Sequence, residues 1–388
     1  MAELPARILD AIAALARPVC AHLVDARLIP ARVAALRAAL PQSTTILYAV
    51  KANGHPDVVA AFASVADGVE VASGGELALA RAAGARRIAF SGPAKTQREL
   101  QDAVAAARDG IAVTMNVESV HEIRRLAHAG GSDAGIAVAL RVNRRDAAGA
   151  LTGSHRMAGV PTPFGIDESD LPHAVAEAAT AGLRVSGFHL HAVSNNLDAA
   201  AHAAFIVDAV GWAREAAARH GLELDHVNVG GGFGIDYNGS REFDVDGLRG
   251  IDVDLPIVVE PGRYLAGPIG WYAAEVVDVK RTLGRWFAVL RGGTHHFRLP
   301  AAWGYSHPFT VVPVDDWPYP FDRPEARDVP IDAVGELCTP RDVLARDQHV
   351  ERVRAGDVLV FANTGAYGWD ISHHDFLRHP YPDLIVLR

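Results

Sequence analysis

The chain has 388 residues, 49% hydrophobic and 21% charged, with a formal net charge of −9, a size suited to one large domain and a smaller companion. That acidic balance, with no Lys/Arg-rich run, excludes a nucleic-acid or anionic-membrane surface as partner. Two cysteines, Cys20 and Cys338, are too few for a disulfide framework and fit a reducing compartment. The opening Met1-Ala-Glu-Leu does not read as a signal peptide, and no apolar stretch could span a bilayer, so a soluble, cytoplasmic protein is expected.

In chain order, short β-rich runs fall at 46–51, 69–73, 88–92, 112–116, 136–143, 186–192, 226–232 and 256–262. Between them lie amphipathic segments such as 75–83, 96–107, 119–128, 171–181 and 199–219. Strands alternating with helical stretches of this length predict a parallel sheet with helical crossovers, and eight such units predict a closed (β/α)8 barrel of the TIM type, in the α/β class. After about residue 266 the alternation stops. Runs at 271–280, 285–291, 309–314 and 357–361, split by Pro/Gly turns, predict a β-rich domain of sandwich or barrel type. The run at 18–25 is expected to join it. The expected division is a barrel over 25–265 and a β-rich domain built from 1–24 and 266–388.

Of 37 basic residues only Lys51, Lys95 and Lys280 are lysines. Lys51 closes the first β-rich run, where a barrel places its chemistry, and an amine can attack a carbonyl whereas guanidinium stays charged. A salt-bridged lysine is the plainer reading of such a residue taken alone. Lys95 and Lys280 stand in no comparable setting. The run Val229-Gly-Gly-Gly-Phe-Gly234 ends strand seven, where backbone N–H groups commonly approach a phosphate, although a tight turn would look the same. Glu260-Pro-Gly-Arg263 ends strand eight: Arg263 offers a phosphate fork, and Glu260 offers either an ordinary ion pair or a partner for a pyridine nitrogen. His189 and His191 share a strand and invite a metal reading. Hydrolytic barrels carry such a pair on the first strand, and here it lies on the sixth, so no metal is expected. His295-His296 and His373-His374 are adjacent, and in extended chain their rings diverge.

Together these features resemble the fold-type III decarboxylases dependent on pyridoxal 5′-phosphate (PLP), the ornithine, arginine and diaminopimelate decarboxylase family. The motifs are Tyr48-Ala-Val-Lys51-Ala-Asn53, Ala72-Ser-Gly-Gly-Glu76-Leu, Gly92-Pro-Ala-Lys95, Pro163-Phe-Gly-Ile166, His191-Ala-Val-Ser194, Gly230–Gly232, Glu260–Arg263, Gly335-Glu-Leu-Cys338 and Gly365-Ala-Tyr367-Gly. The resemblance implies that Lys51 holds PLP as a Schiff base, His191 stacks on its ring and Glu260 meets its pyridine nitrogen. Ser194, Gly231, Gly232, Arg263 and Tyr367 would hold the phosphate, and Arg141, ending strand five, joins the cofactor-binding set. It also implies a homodimer with shared active sites, the partner subunit's Cys338 protonating Cα. Racemase-like barrels carry an arginine where Glu260 stands, and single-barrel relatives lack the β domain; both comparisons favour decarboxylation. A catalytically inactive regulator of the same fold is the alternative outside enzymology.

Diamine-producing relatives place an acid directly after the cysteine, and here Thr339 stands there, with Asp342 keeping a second family acid. An unpaired buried ammonium costs on the order of 3–5 kcal/mol, so free diaminopimelate, ornithine or lysine is the alternative substrate rather than the first. Arg144, Arg145, Arg156, Arg298 and Arg341 are candidates for a polycarboxylate tail, and Arg298, Thr339 and Asp342 are the expected substrate-binding set. Val193 replaces a usual glycine, and Glu70 a usual aspartate. The run 191–199 and Ser372-His-His-Asp-Phe376 look most like the siderophore branch, whose members decarboxylate a diaminopropionate unit joined to citrate, as in staphyloferrin B assembly.

Overall fold

The computed structural model describes residues 3–146, 149, 151–238 and 241–388. Contacts divide the chain into two compact units: a barrel over 28–236 and 241–265, and a β unit that joins residues up to Arg27 with 237–240 and 266–388.

The barrel strands are Thr45–Ala49, Gly68–Val71, Arg87–Phe90, Ala112–Val117, Ala137–Asn143, Val185–His189, His226–Gly230 and Ile257–Val259. Each pairs in parallel with the next, and the eighth returns to the first through Val258↔Thr45 and Val259↔Ile46, so the sheet closes. Several strands end earlier than the apolar runs suggest, leaving Lys51, His191 and Glu260 in the turns beyond them. The crossover helices begin where short polar side chains satisfy the first free N–H groups. Ser73 accepts from Glu76 N, Ser119 from Glu122 N, and Thr96 forms a full capping box with Glu99. Ser73 therefore starts a helix. Among its described residues the seventh crossover carries one 3-10 turn, Val245–Leu248, and no α-helix.

The β unit is one mixed eight-stranded sheet. Its long strand Gly270–Thr282 pairs antiparallel with Cys20–Asp25, Arg285–Leu290 and Val358–Ala362. Two further long strands, Glu325–Val334 and Val343–Arg354, pair with each other. Helix Ala6–Ala13 lays Ile8 and Ile12 against Leu23, Trp271 and Val360. Among the described residues no helix is long and apolar enough to cross a membrane.

Three histidines are packed as neutral rings. His202 lies against Phe233, His307 Nε2 donates to the Ala362 carbonyl, and His22 Nε2 donates to the His296 carbonyl. Burial pushes each of them down to about 4. Each is neutral in the fold but takes a proton on unfolding below about pH 6.5. Their contribution is therefore complete above that pH and is lost as pH falls toward 4, by up to about 1.4 kcal/mol per pH unit for each ring. The urea midpoint is expected to fall between pH 7 and pH 5; a flat midpoint over that interval would count against this account.

Candidate active site

Strand one gives way at Val50–Ala52 to a single 3-10 turn. Ala49 N donates to Pro261 O at 3.2 Å, and a Cβ on Gly262 would lie 2.9 Å from Ala52 Cβ, so the ends of strands one and eight are pressed together. Lys51 projects from this turn with its side chain 46% exposed, and its Nζ lies 2.7 Å from Glu70 Oε2. Glu70 is fully buried at the end of strand two, and its Oε1 has no hydrogen-bond partner.

Glu260 is also buried. Its Oε1 accepts from Asn228 Nδ2 (2.7 Å) and Asn116 Nδ2 (3.3 Å), and its Oε2 lies 3.4 Å from His189 Nε2. Burial alone would raise its pKa; His189 and Lys51 beside it and the Asn228 hydrogen bond more than offset this and hold it well below the ordinary carboxylate range. His191 follows at the mouth, its Nδ1 buried without a partner. Burial first, then Arg141, His189 and Lys51, push its imidazole far down, so it is neutral. The His189 and His191 rings lie 6.5 Å apart with 21° between their planes.

The glycine run packs against this group. A Cβ on Gly230 would come within 2.5 Å of His191 Nδ1, one on Gly231 within 2.5 Å of the Glu260 carbonyl, and Gly232 has φ +100° with Val193 O at 2.7 Å from the Cβ position. Asn196 N donates to Gly232 O (2.7 Å) and Ile235 N to Asn195 Oδ1 (2.8 Å), lacing the Ser194–Asn196 segment to the glycines. Arg263 is buried at the start of the short helix Arg263–Ala266.

Arg141 donates to Glu118 Oε1 at 2.8 Å and lies over the Phe164 ring. Glu118 also accepts from Gly92 N and Gly165 N. Lys95, which looked like an isolated lysine, is buried and donates to Gly92 O, Asn116 O and Glu122 Oε1. Arg144 is buried against Asp208 and Trp212 rather than presented to a ligand. Glu70, Asn116, Glu118 and Asn228 were not singled out as site residues from sequence. The available signal was a polar side chain at or near the end of each strand, among Val, Met and Ala neighbours.

In the β unit, Cys338 is an exposed free thiol and Cys20 a buried one. Arg298, Thr339 and Arg341 line one cavity of about 720 Å³, with Tyr305, Arg346 and His373. Asp342 lies beneath it: the side chain is buried, with Oδ1 accepting from Thr294 N (2.6 Å) and Oδ2 from Leu337 N (2.8 Å). It braces backbone, which differs from the substrate contact expected of it. Tyr367 is half-buried with φ +56°. His295 and His296 converge instead of diverging, with ring centroids 3.8 Å apart, because they sit in a turn rather than in extended chain.

The groups at the barrel mouth suit pyridoxal phosphate: an amine beside a buried carboxylate, a neutral imidazole with an unpartnered nitrogen, an ionised carboxylate, and a backbone cradle that a Cβ would fill, with a nearby guanidinium. The chain matches the model of the pyridoxal-dependent decarboxylase family, pyridoxal binding domain, over residues 26–267. It is 38% identical, over 98% of its length and 97% of the relative's, to a Staphylococcus aureus 2-[(L-alanin-3-ylcarbamoyl)methyl]-2-hydroxybutanedioate decarboxylase. It is 29% identical, over 94% of this chain and 86% of the other, to an Aquifex aeolicus diaminopimelate decarboxylase. Helicobacter pylori diaminopimelate decarboxylase, solved with L-lysine, shares the fold with a TM-score of 0.83 at 22% identity, covering 98% of this chain and 94% of that one.

Replacing Gly232 by Ala forces a side chain onto the Val193 carbonyl at a left-handed φ. Gly232→Ala is expected to lose pyridoxal on dialysis while keeping a native circular-dichroism spectrum, and retention at the wild-type level would remove the cradle from the site.

Proposed function

Because the chain belongs to the pyridoxal-dependent decarboxylases, we propose that it removes CO2 from an amino-acid carbon whose far end carries carboxylates, a citrate joined through an amide to diaminopropionate. The observation carrying the chemistry is the pairing of Lys51 Nζ with Glu70 beside a Glu260 kept ionised in a buried setting.

When bound, pyridoxal phosphate supplies the electron-withdrawing system that accepts the electron pair left on Cα as CO2 departs. Lys51 would anchor it through its amine, with Glu70 taking the proton that the amine must shed to react. Glu260, held by His189, Asn116 and Asn228, would keep the ring nitrogen protonated. His191, neutral, would offer its flat face. Ser194, Gly231, Gly232, Arg263 and Tyr367 would hold the phosphate, and Arg141 would fix the wall beside it through Glu118. The Cys338 thiol would deliver a proton to Cα, replacing the lost carboxylate. We place it in a homodimer whose partner's Cys338 serves this barrel, working in the cytoplasm, where both thiols stay reduced.

The substrate reading draws on charge. The name of the Staphylococcus aureus relative describes a molecule with two carboxylates and a hydroxyl remote from its amino-acid carbon. Arg298, Arg341 and Arg346 line the β-unit cavity with His373, and no acid is among the described lining residues. Asp342 has both oxygens engaged by backbone N–H groups, so it is poorly placed to receive the distal ammonium of diaminopimelate, ornithine or lysine.

CO2 release measured side by side is expected to favour the citrate amide over those three amino acids, and faster turnover of any of them would overturn the substrate assignment. Lys51→Ala is expected to lose both visible cofactor absorbance and turnover; no absorbance in the wild type would instead favour an inactive regulator. Arg298→Ala removes a charge-assisted contact worth about 1.5–3 kcal/mol. KM for the citrate amide should rise on the order of 10- to 100-fold, and an unchanged KM would exclude Arg298 from the substrate site.

A further inference from the structure

We infer that Glu336 is a positioning residue for Cys338, its carboxylate fixing the loop on which the thiol is presented. This rests on the proposal that Cys338 is the proton donor.

The loop 335–342 has two anchors. On the inner side Asp342 accepts from Thr294 N and Leu337 N, and Gly335 N donates to Asp342 O at 2.9 Å. On the other side Glu336 N donates to Gly292 O at 2.9 Å. Its Oε1 is paired with Arg291 Nη1 and lies 3.4 Å from His295 Nε2 and 3.5 Å from His379 Nδ1. Arg291 Nη2 in turn donates to the Pro380 carbonyl at 2.8 Å. Three side chains from two segments remote in sequence thus converge on one carboxylate oxygen.

Glu336 is only partly exposed. Burial would raise its pKa, but His295, Arg291 and His379 around the carboxylate bring it below the ordinary value, so it is ionised at neutral pH. Leu337 is buried between the anchors, which leaves Cys338 as the first exposed side chain after Glu336. Two residues of separation transmit any movement of the Glu336 backbone directly to the thiol. The clamp holds the loop in place; the carboxylate itself touches no reacting atom.

Native alkylation of the holoenzyme by iodoacetamide reads this directly. Cys20 is buried and its thiol is pushed up to about 11, so Cys338→Ser should be nearly silent and the wild-type signal should come from Cys338. Glu336→Ala is expected to raise the Cys338 alkylation rate severalfold and to lower kcat on the order of tenfold with KM nearly unchanged. Glu336→Gln, which keeps hydrogen-bonding oxygen in place, should fall between. If Glu336→Ala does not fold, Arg291→Lys and His379→Gln loosen the clamp from its other arms and carry the same expectation. Wild-type alkylation and kcat in these variants would overturn the inference. Full activity in Cys338→Ala would overturn the proton-donor assignment instead, and the alkylation rates would still report whether Glu336 holds the loop.

Discussion

Burying carboxylates at the carboxyl end of a barrel is costly, and the site is organised by how that cost is met. Glu70, Glu118, Glu122 and Glu260 are all buried there. An isolated buried carboxylate would take up a proton rather than stay charged. Lys51 faces Glu70, Arg141 and two backbone N–H groups face Glu118, Lys95 and Glu118 N face Glu122, and His189 with two asparagines faces Glu260. Three of the four, Glu118, Glu122 and Glu260, are connected by hydrogen bonds. Lys95 also donates to the Asn116 carbonyl, and Asn116 donates to Glu260. Removing one cation therefore unsettles more than its own partner, because a buried charge left alone is strongly unfavourable.

This arrangement separates anchoring from electronics. Lys51 is half-exposed and reachable, with its counter-charge below it, while Glu260 lies deeper and is denied water. The same two residue types, an amine and a carboxylate, acquire different uses from different depths. The β unit supplies another kind of charge. Its cavity is lined by arginines with no described acid, so it favours anions whatever is attached to them.

The barrel was legible in sequence because parallel strands buried on both faces read as apolar runs at regular intervals. Lys51, the glycines and Glu260 stood out because they end those runs. Their supports did not. Lys95 is surrounded by groups from positions 92, 116 and 122, and nothing local in Gly92-Pro-Ala-Lys95 announces that company. Strands Glu325–Val334 and Val343–Arg354 escaped notice because they carry Arg327, Asp328, Arg346, Asp347, Glu351 and Arg352. Their charges are matched across the sheet, as Arg285 is to Asp332, by residues distant in sequence. Asp342 has a role that no local pattern announced: its carboxylate accepts from the backbone N–H groups of Thr294 and Leu337.

The pairing of Cys20–Asp25 with Asp383–Leu387, in register from Ala21↔Asp383 to Asp25↔Leu387, bears on how the chain is made. The barrel lies wholly between these two strands in sequence. On the ribosome, where domains fold largely in the order they emerge, all barrel residues leave the exit tunnel before the last strand of the β unit exists. Cys20–Asp25 must then wait with both edges unpaired until Gly270–Thr282 emerges, and with one edge still open until Asp383–Leu387 follows. Biogenesis thus runs from the barrel outward, and a strand made before the barrel is paired only after it.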